Sequence, residues 1–287
     1  MTDTSTLSKL NLAPGLQLAL RDWPLADATA MRAQVLIVHG LGEHSGRYEH
    51  VAQQLNGWGY AVRSFDLWGH GLSDGERGSM RDEHALLDDL AAVVDQTRKA
   101  MAPGQSLVLL GHSLGGLLAA RFVSLRMRPI DALVLSSPAL DPGLNAFQKL
   151  LLATLPGIAP NLRVGNGLQV KYLSHDPAVV AAYQADPLVH DRISARLALF
   201  IAQAGREVLA TAPQWSTPTL LLFAGQDKLV SPQGSRDFLK LAPGTMVQSL
   251  CFEALFHEIF NDAEAGGVFA ALQQWLQVGW ADLAATG

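Results

Sequence analysis

The chain has 287 residues, 49% of them hydrophobic and 16% charged, with a formal net charge of −5. That apolar share supplies a sizeable core, and the length suits one large α/β domain with a smaller one inserted. The acidic balance removes the electrostatic basis for a nucleic-acid partner, and a single cysteine, Cys251, excludes an internal disulfide and fits a reducing compartment.

In chain order, residues 1–15 carry no basic start followed by an apolar block, which argues against a secretory leader. No apolar run approaches the ~18 residues of a membrane-spanning helix, so a cytoplasmic chain is expected. Leu16–Arg21 alternates with period two and reads as an edge strand. Ala33–Val38 is continuously apolar, as in a strand covered on both faces. A loop, HGLGEHSGR, follows over 39–47, then a short helix over 48–55. Tyr60–Phe65 is the next strand, and 83–101 carries apolar residues at helical spacing before Pro103-Gly104 stops it. Ser106–Leu110 is an apolar strand run, Leu117–Phe122 a helix, and Ile130–Ser136 another buried strand.

The alternation then lapses. From Asp141 to about Trp215 the pattern is helical and loop-like, with prolines at 142, 156, 160, 177, 187 and 213. It resumes with a strand over 219–224, a helix over 232–241, a strand over 246–252 and a closing helix from 262 to about 283. Cys251 in that last strand reads as a buried structural thiol. Strands alternating with helices imply an α/β fold with a mostly parallel central sheet and helices on both faces. The expected division is a core over 1–140 and 216–287, with an inserted helical lid over 141–215.

The chemistry gathers at Gly111-His112-Ser113-Leu114-Gly115-Gly116. A strand that reverses sharply into a helix strains the residue at the bend and pushes its side chain outward. The flanking glycines suit the close approach of the neighbouring strand and helix. A second G-x-S-x-G, Gly71-Leu72-Ser73-Asp74-Gly75, lies past its strand and is followed by charge, so context favours Ser113 as nucleophile. A serine hydroxyl needs a base, and the base needs a group to hold it. Asp227 follows the 219–224 strand, and His257 follows the next one. Both lie where strand carboxyl ends bring loops together, and the order Ser113, Asp227, His257 is that of the α/β-hydrolases. Asp66 precedes the serine and Asp141 opens the insertion, so both rank below Asp227. The backbone N–H groups of Leu114 and Leu41 are the expected oxyanion donors. His39, Glu43, His44 and His50 fit no zinc spacing, so neither metal nor cofactor is expected.

Three runs then carry a specific resemblance: His39-Gly40-Leu41-Gly42-Glu43-His44-Ser45-Gly46-Arg47-Tyr48, Asp66-Leu67-Trp68-Gly69-His70-Gly71-Leu72-Ser73, and the Ser113 turn. With Ala185-Asp186-Pro187-Leu188 and Gly225-Gln226-Asp227-Lys228-Leu229-Val230, they resemble the monoacylglycerol lipase and lysophospholipase group of the α/β-hydrolase fold. The match runs from about Leu16 to Leu276 and is looser in the lid. It implies that Glu43, Arg47, His112 and Tyr183 surround the polar head of the substrate. The plain alternative is that Glu43 and Arg47 brace their loop, His112 packs in the turn and Tyr183 packs in the lid. Leu114 stands where relatives often carry Met, which leaves the backbone donor in place.

The expected activity is therefore cleavage of a monoacylglycerol or similar small lipid ester through an acyl-enzyme. Lysophospholipase or general carboxylesterase is the nearest alternative, and a non-catalytic binding protein on the same fold a more distant one. The apolar lid stretch Phe147–Ala159 suggests transient contact with lipid interfaces, and so a peripheral place at membrane surfaces. The sequence carries no signal for an oligomeric state.

Overall fold

Four apolar runs build the centre of the molecule, and each divides its side chains between two cores. In the computed structural model, which describes residues 5–25, 31–143, 154–278 and 280, the first strands are β1 (Thr6–Ala13), β2 (Leu16–Trp23), β3 (Ala33–Val38) and β4 (Tyr60–Phe65). Next come β5 (Leu107–His112) and β6 (Ala132–Ser136), two short strands β7 (Arg163–Gly165) and β8 (Arg192–Ser194), then β9 (Thr219–Ala224) and β10 (Val247–Phe252). The main sheet has eight strands in the order β1-β2-β4-β3-β5-β6-β9-β10. Pairing is antiparallel from β1 to β2 and from β2 to β4, and parallel from β4 to β10.

Because successive strand residues point to opposite faces, Leu36, Leu109, Leu133 and Leu221 enter one core and Ile37, Val108, Val134 and Leu222 the other. Helices α1 (Glu49–Gly57) and α7 (Gly266–Val278) cover the second face through Val51, Leu55, Leu272 and Trp275. The first face is covered by α2 (Ala85–Ala100) and α3 (Leu114–Ser124). Each fully buried Leu or Ile here contributes on the order of 1.5–3 kcal/mol, which is why runs with no polar position stay strands.

Beyond β6 the chain holds α4 (Pro177–Ala185) and α5 (Ala195–Thr211), followed after β9 by α6 (Pro232–Leu241). Asp176, Ser194 and Ser231 cap these three helices by accepting N–H groups of their first turns.

Several expectations are corrected by packing. Residues 16–21 do not form an edge strand: β1 pairs outside β2 with a register shift between Asn11 and Ala13. β1 is mostly exposed and carries one regular stripe only in part, so main-chain pairing rather than hydrophobic pattern holds it. The inserted segment 141–215 is not wholly helical, since β7 and β8 pair antiparallel within it. Leu197, Ile201, Ala204 and Val208 of α5 join the core of the first sheet face, Gly205 lies against the Leu140 backbone, and Arg121 on α3 pairs with Glu207 at 2.6 Å. The stretch 147–153, including Leu151, lies outside the described residues; of its continuation, Ile158 is 83% exposed.

Cys251 is half-buried on β10 rather than fully buried. Burial, with Glu253 beside it, pushes its thiol up to about 11, so it stays a thiol at neutral pH. Among the described residues no helix is long and apolar enough to cross a membrane.

Candidate active site

The parallel strands deliver their carboxyl ends to one rim, and the loops leaving β3, β5, β9 and β10 meet there. Ser113 sits between β5 and α3 with φ 54° and ψ −118°, left-handed space that a non-glycine residue occupies only when its surroundings impose it. Its N–H donates to Ser136 O at 3.0 Å, and its carbonyl accepts from Leu117 and Ala139. Gly115 is forced by proximity: a Cβ there would strike the carbonyl oxygens of Val38 and His39. At Gly111 it would strike the backbone of Gly115 and Gly116. The bend and the tight crossing together leave the serine no alternative backbone.

His257 Nε2 lies 2.9 Å from Ser113 Oγ, and His257 Nδ1 lies 2.6 Å from Asp227 Oδ2. The other oxygen of Asp227 accepts the N–H groups of Leu229 at 2.8 Å and Val230 at 2.9 Å, which fixes the carboxylate. Burial opposes a charge on His257, but Asp227, with Glu258 and Glu43 beyond, outweighs it and holds the imidazole above its ordinary value. Burial likewise opposes charge on Asp227, and the neighbouring imidazole and the two N–H donors reverse this and pull its carboxyl down. A hydroxyl, an imidazole and a carboxylate in this series is an arrangement in which a base can take the hydroxyl proton while its own cation is stabilised.

The competing residues are occupied elsewhere. Ser73 Oγ donates to Asp66 O and accepts from Ala19 N at 2.8 Å. Asp66 accepts from Ser45 N and Leu72 N, both at 2.7 Å. Both therefore tie loops together.

Ser113 and His257 open into a cleft of about 230 Å³ that Leu41 and Leu114 also line. Its apolar wall includes Leu168, Ile193, Ile201 and Leu229, and its polar groups include Asn166, Gln169 and Lys228. Glu43, Arg47, His112 and Tyr183 lie beside this cleft rather than in its lining, and Arg47 and Tyr183 line a neighbouring cleft of about 290 Å³. Glu43, Arg47 and His112 have hydrogen-bond partners within the protein. Glu43 accepts from Gly40 N at 2.6 Å, Tyr48 Oη at 2.8 Å and Arg47 Nη1 at 2.8 Å. Burial raises the Glu43 carboxyl, but Arg47, then His112 and His39, reverse this and hold it well below the usual carboxylate range. The guanidinium of Arg47 lies 4.7 Å from the Tyr183 ring centre, covering its face. His112 packs its ring 4.8 Å from that of His257 and meets Ser136 Oγ at 3.0 Å. Burial, and then the neighbouring His257, bring His112 down to about 4, so it is neutral at pH 7.

Glu258 is the residue that sequence reasoning missed. Its two oxygens accept from Arg47 Nη1 at 2.6 Å and Nη2 at 2.7 Å across 211 positions of chain. Its only local signal is that it directly follows His257. The cleft walls Ile193 and Ile201 and the cation Lys228 were also not singled out, because nothing in their spacing marks them as facing a cleft.

Fold and site together define a serine hydrolase acting on esters, built on the α/β-hydrolase fold. The chain belongs to the family described as serine aminopeptidase, S33, which matches residues 29–264. The Mycolicibacterium smegmatis monoacylglycerol lipase is 32% identical over 86% of this chain and 89% of its own length. Phospholipase YtpA of Bacillus subtilis is 33% identical over 83% of this chain and 93% of its own. An uncharacterized abhydrolase domain-containing protein of Dictyostelium discoideum is 33% identical over 96% of this chain, which spans only 29% of that longer protein. Among solved structures, Paleococcus ferrophilus monoacylglycerol lipase superposes with a TM-score of 0.80 at 36% identity, covering 90% of this chain and 98% of its own.

Proposed function

We propose that the protein hydrolyses monoacylglycerols to glycerol and fatty acid through an acyl-enzyme on Ser113. The observation that carries this reading is the hydrogen-bonded series Ser113–His257–Asp227, at 2.9 and 2.6 Å, opening into a cleft with an apolar wall. His257 takes the Ser113 proton as Oγ attacks the ester carbonyl, and Asp227 stabilises the imidazolium. The backbone N–H groups of Leu41 and Leu114 receive the oxyanion; Leu114 opens α3, whose first N–H groups have no partner within the helix. His257 then returns the proton to the departing glycerol oxygen and activates a water that releases the fatty acid. The acyl chain packs on Ile193, Ile201, Leu168 and Leu229. No step calls for a metal or cofactor. In this reading residues 154–194 act as a cap over the cleft.

Hydrolysis of a chain-length series of monoacylglycerols beside p-nitrophenyl esters tests the substrate. A long-chain, glycerol-dependent optimum is the expected result; a profile flat in both acyl length and alcohol makes the protein a general esterase instead. A second reading, lysophospholipase, is favoured by Lys228, a cation lining the cleft, and by the similarity to a bacterial phospholipase. Lysophosphatidylcholine and monoacylglycerol offered together separate the two.

The raised imidazole sets the pH dependence. His257 must be neutral to act as base, so kcat/KM falls as pH drops through a value above the ordinary 6.5. A pH–rate profile whose acid limb lies below the ordinary 6.5 contradicts the assignment of that limb to His257.

A further inference from the structure

Two carboxylates and one guanidinium are buried beside the site, and the reaction as written leaves them without a role. Arg47 lies in the helical turn after the β3 loop, its side chain 11% exposed. It donates to Glu43 at 2.8 Å and forks onto both oxygens of Glu258 at 2.6 and 2.7 Å. Glu43 in turn accepts the N–H of Gly40, the residue before Leu41. Glu258, the residue after His257, also accepts from Asn261 Nδ2 at 2.8 Å, and its own N–H donates to Leu173 O at 2.8 Å. An unbroken series of bonds therefore joins the loop that carries Leu41 to the loop that carries His257.

We propose that Glu258 is a positioning residue for the reaction: its fork with Arg47 holds the His257 loop in register with the Gly40–Leu41 turn, and its carboxylate keeps a net negative charge beside the imidazole. The inference rests on the reading of His257 as the base. A planar guanidinium gripping a carboxylate through two parallel bonds fixes direction as well as distance, which a single bond or a lysine does not. A half-ångström error in the base is enough to matter, because proton transfer from Ser113 works only within hydrogen-bond reach.

The charge follows from counting the groups that face His257. Asp227 approaches from the loop after β9 and His112 from the end of β5; Glu43 and Arg47 come from the β3 side, Lys228 lines the cleft, and Glu258 lies on the same loop as the histidine. His112 is neutral and Asp227 is already bonded to the ring. Glu43 and Glu258 share one guanidinium, so one carboxylate charge remains uncompensated in that network. Removing it makes the imidazolium easier to deprotonate, and the acid limb moves down.

The test uses p-nitrophenyl butyrate, whose cleavage needs the Ser113 site but no particular lipid. Ser113→Ala is run alongside: activity retained in that variant defeats the nucleophile assignment without bearing on Glu258. With that control inactive, Glu258→Gln is expected to lower kcat about tenfold, leave KM within about twofold, and move the acid limb of kcat down by roughly half a pH unit or more. Glu258→Asp keeps the charge and shortens the reach, so the limb stays and kcat recovers only in part. Arg47→Lys keeps the charge and loses the fork, so kcat falls with the limb in place. Unchanged kcat and limb in Glu258→Gln overturn the proposal, and so does a raised KM at full kcat, which would make Glu258 a substrate contact. If Glu258→Gln does not fold, full kcat in Arg47→Lys overturns it instead.

Discussion

Ser113→Ala lowers kcat/KM toward p-nitrophenyl butyrate by a factor on the order of 10⁵ and abolishes labelling by a fluorophosphonate. The size of the effect follows from the proposed role: Ser113 Oγ, the proposed nucleophile, meets His257 Nε2 at 2.9 Å. Asp227→Asn leaves the shape intact but presents an amide to His257 Nδ1 in place of a carboxylate. It favours the wrong tautomer and costs roughly 10⁴-fold. Labelling that persists in Ser113→Ala would move the nucleophile elsewhere. The same position carries a stability signature. With φ at 54°, Ser113→Gly relieves backbone strain that Ser113→Ala retains, so the glycine variant is expected to be about 1 kcal/mol more stable than the alanine variant by thermal or urea denaturation. Equal stabilities would mean that the bend is not strained.

The second large effect is structural. Gly115→Ala places a methyl group against the carbonyl oxygens of Val38 and His39, backbone atoms that cannot swing aside as a flexible side chain would. Either α3 lifts off the sheet or the β3 loop shifts, and both disturb the groups around Ser113. The expected cost is about 3 kcal/mol or more, with fluorophosphonate labelling lost in whatever fraction still folds. Gly116→Ala is milder, since its new atom would meet Gly111 O and Pro138 at 3.0 Å. Gly244→Ala has nothing within 4 Å and serves as the control, within about 0.5 kcal/mol of the parent. A Gly115→Ala protein with parental stability and activity would refute the close-crossing argument.

The difference between what was legible in the sequence and what was not has physical causes. Runs such as Val35-Leu36-Ile37-Val38 are readable because both faces of the strand are covered, so no polar residue interrupts them. Residues 6–13 were silent because β1 is a mostly exposed edge with a register shift, and its main-chain pairing leaves no hydrophobic period. β7 and β8 are three residues each, too short for any pattern. The helix over 195–211 is amphipathic whether it sits in a cap or in the core. Only its contact with α3 and Leu140 decides the matter. At the site, the relation of Ser113, Asp227 and His257 was legible because strand ends are local features and chain order does the rest. The Glu43–Arg47–Glu258 network was not, because its decisive bond spans 211 positions. Together with the bond from Arg47 to Glu43, it ties the loop after β3 to the loop of His257.

If residues 154–194 cap the cleft as proposed, that cap is bonded directly to the proposed machinery. Tyr172 O and Leu173 O accept the N–H groups of His257 and Glu258, and Gly42 O accepts the N–H of His190. Trimming residues 154–194 to make a roomier, more permissive enzyme would thus unseat the histidine and the turn beside Leu41 together. Redesign of substrate range has to proceed by resizing side chains such as Ile193 and Leu168 in place, with the surrounding main chain left whole.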